Sequence, residues 1–420
     1  MNPLDIVSGE RVADLTKTLV EIPSETGKEQ RIADWIINYF TELGLSDITR
    51  LPVEEAGDTV VAVLKGGDGP KMMLNFHIDT FDAFEGWNTH PFKAVEKDGR
   101  LYGLGAHDMK GGAACALAAV EAIVKSGVKL GGDLIISGTS DEEYWSRGVH
   151  ELIKTGMLKD CNYCIVPEPA AHATILIGQR GRHVFKLRFY GSSVSAAYDE
   201  GINALVDASK VVAEFEKYKP DGFGCMPEYD MRGTLCVTGF HSGGDKIYVP
   251  ELAEVTIDRH IMPGQTVEDA AQQIRQIILD ADIKGRYELT WDERPTPAPT
   301  SYITPPDSEL VETAKRSLEA ELGQEVRLTL ARSVADTNHI AVHGGVPTII
   351  MGPSGGNTCE ANEWVDKESL PQITRAITRT VLDLLGTRWG GVNPHQLKPA
   401  SFHLNKPQNG SFSILISAKV

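Results

Sequence analysis

What most constrains this chain is where its histidines and acids fall: at the ends of short apolar runs separated by helical segments. TVVAVLKG, KMMLNFHID, DLIISGTSDEE and NYCIVPE are apolar-rich, bounded by Gly, Pro and Asp, and too short for helices, which is the pattern of buried strands. ERVADLTKTLVEI and EQRIADWIINYFTELG carry apolar residues at helical spacing, and Gly44 ends the second. GGAACALAAVEAIVKSG is apolar nearly all round, as a buried helix must be. Helices alternating with buried strands specify an α/β fold with a largely parallel sheet covered on both faces. In such folds ligands gather at the C-terminal strand ends, where this chain places its imidazole and carboxylates.

Near Gly181 the pattern changes. HVFKLRFYG sets Phe185, Leu187 and Phe189 on one face and Lys186, Arg188 and Tyr190 on the other, the alternation of a half-exposed strand. GINALVDASKVVAEFEKY and TVEDAAQQIRQIILDADI read as amphipathic helices, with strands at TLCVTGF, AEVTIDRHI and RYELTWDE. The order β-α-β-β-α-β is that of a ferredoxin-like α+β unit. RPTPAPTSYITPP reads as a hinge linker, after which helix and buried strand return. The expected organisation is a catalytic domain in two parts, 1–181 and 296–389, interrupted by a lid or dimerisation domain at 182–295, with a loosely held tail at 390–420.

A formal charge of -17 argues against a nucleic-acid partner, which needs clustered Lys and Arg. No apolar run approaches the about 18 residues of a membrane span, and MNPLDIVSGERVADL has no basic, then apolar, leader pattern, so the expected location is the cytoplasm. Six scattered cysteines do not make a disulfide framework, and Cys161 and Cys164 read as two cysteines entering a strand.

The chemistry concentrates in four places. His77 and Asp79, two apart at a strand end, point to the same side of the sheet, and an imidazole beside a carboxylate is how a metal-bound histidine is oriented. Asp108 stands between a glycine-rich turn and the Ala-rich helix, where it serves as a ligand or as a cap; GxxxxGK[ST] is absent, which excludes a nucleotide loop. Glu142 and Glu143 follow one strand and Glu168 another, and the adjacent pair diverges enough to serve two roles. So many carboxylates at one sheet edge are costly without a cation. Phe81, Phe84 and Trp87 suit a pocket wall or ordinary loop packing equally, and His90 and His107 read as hydrogen-bonded loop histidines.

The series FHIDT, GLGAHDMKGG, TSDEE, VPEP, GQRGRH, DEGINAL, DRHIMPG and GPSGGNTCEANEWV resembles the M20 metallopeptidase family, the group of acetylornithine deacetylase, succinyl-diaminopimelate desuccinylase, aminoacylase and glutamate carboxypeptidase. The resemblance runs from about residue 5 to 390. It implies His77 on one metal, Asp108 bridging two, Glu143 and Glu168 completing opposite metals, Glu142 as general base and Asp79 orienting His77. It also implies one or two divalent metals per chain, zinc foremost and manganese or cobalt as alternatives, and a homodimer or higher homo-oligomer acting on a small molecule.

Four positions depart from the family pattern. Cys359 replaces the last histidine ligand, with Glu360 beside it. Ser195 replaces a histidine that steadies the oxyanion in the partner's site. His260, next to Arg259, replaces an arginine that grips a substrate carboxylate, and ADTNH puts Asn338 and His339 where Asp-x-Arg is usual. Ser195, His260, Arg259, Asn338 and His339 are therefore the expected substrate-contacting set of a rebuilt pocket. Three functions follow: a deacylase or dipeptidase cleaving an amide; an aminohydrolase releasing ammonia from a non-peptide amine, aromatic amines included; and a non-catalytic module on the same fold.

Overall fold

The computed structural model describes residues 1–388 apart from 199, 219–222, 244–246 and 292, and the expected tail at 390–420 lies outside the described residues. Two sheets carry the molecule. The larger has nine strands, running Ile48–Leu51, Thr59–Leu64, Leu134–Thr139, Lys71–His77, Cys161–Val166, Thr348–Ile350, Thr174–Gln179 and Tyr302–Ile303, with Arg327–Ala331 also paired to Thr174–Gln179. Its parallel pairings lie at the centre, where Lys71–His77 pairs with Leu134–Thr139 and Cys161–Val166 and the latter with Thr348–Ile350, and toward one margin, where Arg327–Ala331 pairs with Thr174–Gln179. Thr59–Leu64 pairs antiparallel with both its neighbours. The sheet is thus mixed rather than largely parallel. Apolar periodicity reports which face a residue takes but not the direction of its neighbour.

The helices cover this sheet as the sequence requires. Gly9–Val20 starts at Ser8, whose Oγ accepts the Arg11 N–H, a normal N-cap. Gly111–Ser126 is buried from Gly111 to Ile123, in keeping with its lack of a polar face. Ser369–Leu385 and Glu309–Leu322 pack on one another, and Ser369–Leu385 also packs against Gly111–Ser126.

The second sheet is wholly antiparallel, ordered Thr234–Ser242, Leu252–Ile261, Gly181–Tyr190, Arg286–Trp291. With helices Ala204–Lys217 and Val267–Asp280 it forms the ferredoxin-like unit. Its core, including Phe185, Leu187, Phe189, Val211, Phe215, Ile257 and Ile274, is separate from that of the larger domain. The chain crosses between domains at Arg180, whose buried guanidinium donates to the Arg332 and Arg232 carbonyls on either side. The Pro-rich return is not linker throughout, because Tyr302–Ile303 pairs with Gln179 and Gly178 as an edge strand of the large sheet.

Candidate metal centre

Lys71–His77, buried along its length from Met72, delivers His77 to the C-terminal edge of the large sheet. The His77 Nε2 lies 3.1 Å from Asp108 Oδ1 and 3.7 Å from Glu168 Oε1. His77, Asp108 and Glu143 offer ligand atoms that all lie within 4.8 Å of one another. One imidazole nitrogen and hard carboxylate oxygens suit a divalent ion such as zinc, manganese or cobalt. The electrostatics agree. Burial, and then the neighbouring charges, push the Glu143, Glu168 and Glu142 carboxyls well above the ordinary range. Burial works against the His77 imidazolium, but Glu168, Asp108, Asp79 and Glu142 outweigh it and raise its pKa. A pocket that attracts a proton this strongly fits a cation, and the cluster supports one divalent metal per chain.

Asp79 is wholly buried and reaches His77 in two ways, the ring Nδ1 lying 3.0 Å from its main-chain carbonyl and 3.5 Å from its carboxylate. The carboxylate also accepts the main-chain N–H of Glu142 at 3.1 Å, that of Glu143 at 3.2 Å, and the Thr26 hydroxyl at 2.9 Å. It thereby fixes the backbone from which the two glutamates diverge. Glu143 enters the His77 cluster, while Glu142 Oε1 accepts the Asp336 N–H at 3.2 Å.

Asp108 is held by a residue that sequence reasoning overlooked. The buried Glu363 carboxylate accepts the N–H groups of Gly105, His107 and Asp108 at 2.8, 2.8 and 2.7 Å. Burial and Asp108 push the Glu363 carboxyl to about 8, against the pull of those donors. The Asn-Glu pair after CEA was the available signal. Asp336 was also overlooked: it is buried, accepts the Thr139 hydroxyl at 2.7 Å, and is raised to about 7 chiefly by burial. Cys359 Sγ donates to Asp108 Oδ2 at 3.2 Å, and burial, Asp108 and Glu143 push its thiol far up. It stands beside the cluster and is not one of the three clustered donors.

The cleft above these groups has a volume of about 390 Å³ and is lined by Asp108, Glu142, Glu143, Glu168, Cys359, Phe81, Tyr144, Arg182, Asp258, His260 and Arg294, among others. Of the five expected substrate contacts, only His260 lines it. Arg259 is a correction: strand alternation turns it into the small-domain core, 0% exposed, donating to the Phe223 carbonyl and Gln273. Asn338 is another, its buried amide bonded to the carbonyls of Arg180 and Thr300 and to the Ala335 N–H. His339 is buried against His150, Nδ1 to Nε2 at 3.0 Å. Ser195 bridges to Tyr248 on the small domain, outside this chain's own cleft. His107 is a bonded loop histidine, with Nδ1 2.7 Å from the Thr358 hydroxyl and Nε2 3.2 Å from the Pro353 carbonyl.

Comparison with known proteins places this geometry. Residues 73–383 match the model of peptidase family M20/M25/M40. A succinyl-diaminopimelate desuccinylase of Hydrogenovibrio crunogenus is 27% identical over 386 residues, covering 89% of this chain and 98% of that protein. An N-formyl-4-amino-5-aminomethyl-2-methylpyrimidine deformylase of Bacillus subtilis is 26% identical over 406 residues, covering 88% and 93%. Among solved structures, a tripeptidase from Staphylococcus aureus superposes with a TM-score of 0.76 at 20% identity, covering 90% of this chain and 99% of that one. With its clustered histidine and carboxylates in this two-domain fold, the chain belongs to peptidase family M20/M25/M40 and is a metal-dependent hydrolase acting on a C–N bond of a small molecule.

Proposed function

We propose that the protein is an amidohydrolase of the deacylase or dipeptidase kind in which His77, Asp108 and Glu143 hold a divalent cation and Glu142 is the general base. The supporting observation is the division imposed by Asp79: both glutamate N–H groups end on one carboxylate, so Glu143 joins the cluster while Glu142 is held apart, facing the cleft. When bound, the cation supplies Lewis acidity toward a carbonyl and lowers the pKa of water. Glu142, its proton affinity raised by burial, takes a proton from water and returns it to the departing nitrogen. Glu168 and Cys359 flank the cluster as the groups that would hold a second, weaker cation; zinc is the first choice of metal, manganese or cobalt the alternatives. Six free thiols suit a reducing compartment and support the cytoplasm as its location.

A second reading, release of ammonia from a non-peptide amine, takes support from Phe81 and Tyr144. They line the cleft edge to face at 5.8 Å and offer an aromatic wall to a planar group. A metal-supplemented screen of N-acyl amino acids, dipeptides, amidines and electron-poor aromatic amines, reading both free amine and ammonia, separates the two. Free amine from an amide is the expected result; ammonia from a non-amide amine alone would put the second reading first.

A further inference from the structure

Three imidazoles that take no part in the catalytic cluster come together away from the cleft lining. His150 lies on helix Arg147–Lys154; His339 lies on helix Asp336–Val342 and His343 directly after it, and the two helices pack together. The run HIAVH spaces its histidines four apart, so one helical turn sets them on one face, and the His343 N–H donates to the His339 carbonyl at 2.8 Å. Their rings are nearly parallel, 18° between planes, with centres 5.8 Å apart. His150 closes a triangle from the neighbouring helix, its ring centre 4.6 Å from that of His339 and 5.4 Å from that of His343.

Such a triangle matches the space around one ion. Imidazole nitrogens about 2.1 Å from a shared metal stand about 3 Å from one another, with ring centres about 5 Å apart. His150 Nε2 and His339 Nδ1 already lie 3.0 Å apart, and among the described residues this contact is the one hydrogen bond that any of the three rings makes. His339 is 0% exposed, and its Nε2 is buried without a partner, a cost that a joint built only for packing would not carry. His343 is exposed, so its ring can turn toward the other two and leaves an ion a way in. Burial lowers all three, His150 to about 4 and His339 to about 2, so each is neutral at pH 7, the form that ligates a metal.

The donor set also selects the ion. Imidazoles without a carboxylate suit nickel, copper or zinc and leave manganese and magnesium poorly held. Lys154 and Arg294 add positive charge near His150, only partly offset by Glu151, which makes the site weaker than the carboxylate cluster. Its position matters because Arg147–Lys154 follows the segment of Glu142 and Glu143, while Asp336, opening the other helix, donates its N–H to Glu142. We propose that His150, His339 and His343 form a separate metal site that takes a late first-row divalent ion and clips these two helices together.

The test uses enzyme carrying one equivalent of zinc in its carboxylate cluster. Nickel is titrated in by calorimetry, with thermal melting and elemental analysis alongside. Nickel should bind and raise Tm with zinc content unchanged, and manganese in its place should do neither. His343→Gln and His150→Gln should each weaken nickel binding at least about tenfold and lose the rise in Tm, while both keep their zinc. His90→Gln, which removes an exposed loop histidine, should behave as the wild type. The exposed position of His343 makes its variant decisive even where His150→Gln fails to fold. No nickel bound by the wild type, nickel bound equally well by His343→Gln, or manganese bound as tightly as nickel overturns the proposal.

Discussion

At the residue scale, the division of labour between adjacent glutamates depends on Asp79. Glu142→Gln removes the proton acceptor and should lower turnover by about a hundredfold or more while metal content stays near that of the wild type. Glu143→Gln should lose metal, because Glu143 belongs to the three-donor cluster. Equal metal loss in the two variants, measured by elemental analysis, would contradict the assignment. Glu363 lends itself to a stability measurement. Glu363→Ala strands the three N–H groups that shape the loop carrying Asp108, and each orphaned buried donor costs about 1–3 kcal/mol. A clear fall in Tm together with weaker metal retention is expected; an unchanged melting curve would show that the clamp is dispensable. For Cys359, the thiol on Asp108 and the crowd of carboxylates around it disfavour a thiolate. Metal titration of the stripped protein should find one tight equivalent and at most a weak second, so two equally tight equivalents would count against this picture.

At the element scale, helices Arg147–Lys154 and Asp336–Val342 meet through histidines. His150 and His339 are in contact at 3.0 Å, and His343 stacks on His339 at 5.8 Å between ring centroids. Burial, then the mutual repulsion of their charged forms, lowers His150 to about 4 and His339 to about 2. Histidine in the unfolded chain titrates near 6.5, so below that pH the unfolded state binds more protons than the folded state. Stability from this contact is therefore complete above about pH 6.5 and falls as the pH drops toward 4 and below, with a slope of up to about 1.4 kcal/mol per unit for each histidine. Urea midpoints at pH 7.5 and 5 should differ more in the wild type than in His150→Gln. Equal pH dependence in the two proteins would remove these histidines from the acid response.

At the scale of the whole molecule, the small sheet ends in two open edges, Thr234–Ser242 and Arg286–Trp291. Near them Phe240, Tyr248, Leu252 and Trp291 are exposed. An exposed strand edge with apolar neighbours invites pairing with another chain, and the expected outcome is at least a dimer through this domain. Sedimentation at micromolar concentration tests it, and a monomer there would refute it. Among the described residues no helix is long and apolar enough to cross a membrane.

Much was legible along the chain because it depends on local periodicity. The alternation in HVFKLRFYG buries Phe185, Leu187 and Phe189, and His77, Asp108, Glu142, Glu143 and Glu168 do converge on one cleft or its floor. Their convergence could be read because strand ends in an α/β sheet share an edge. Other features were decided by pairing between distant segments. Strand direction in the large sheet, the burial of Arg259 in a second core, the turn of Asn338 toward Arg180 and Thr300, and the Glu363 clamp all join residues far apart in sequence. The cleft lining is the clearest case. Arg182 and His260 are neighbours only because two antiparallel strands place them across from one another, and periodicity within either strand carries no record of that register.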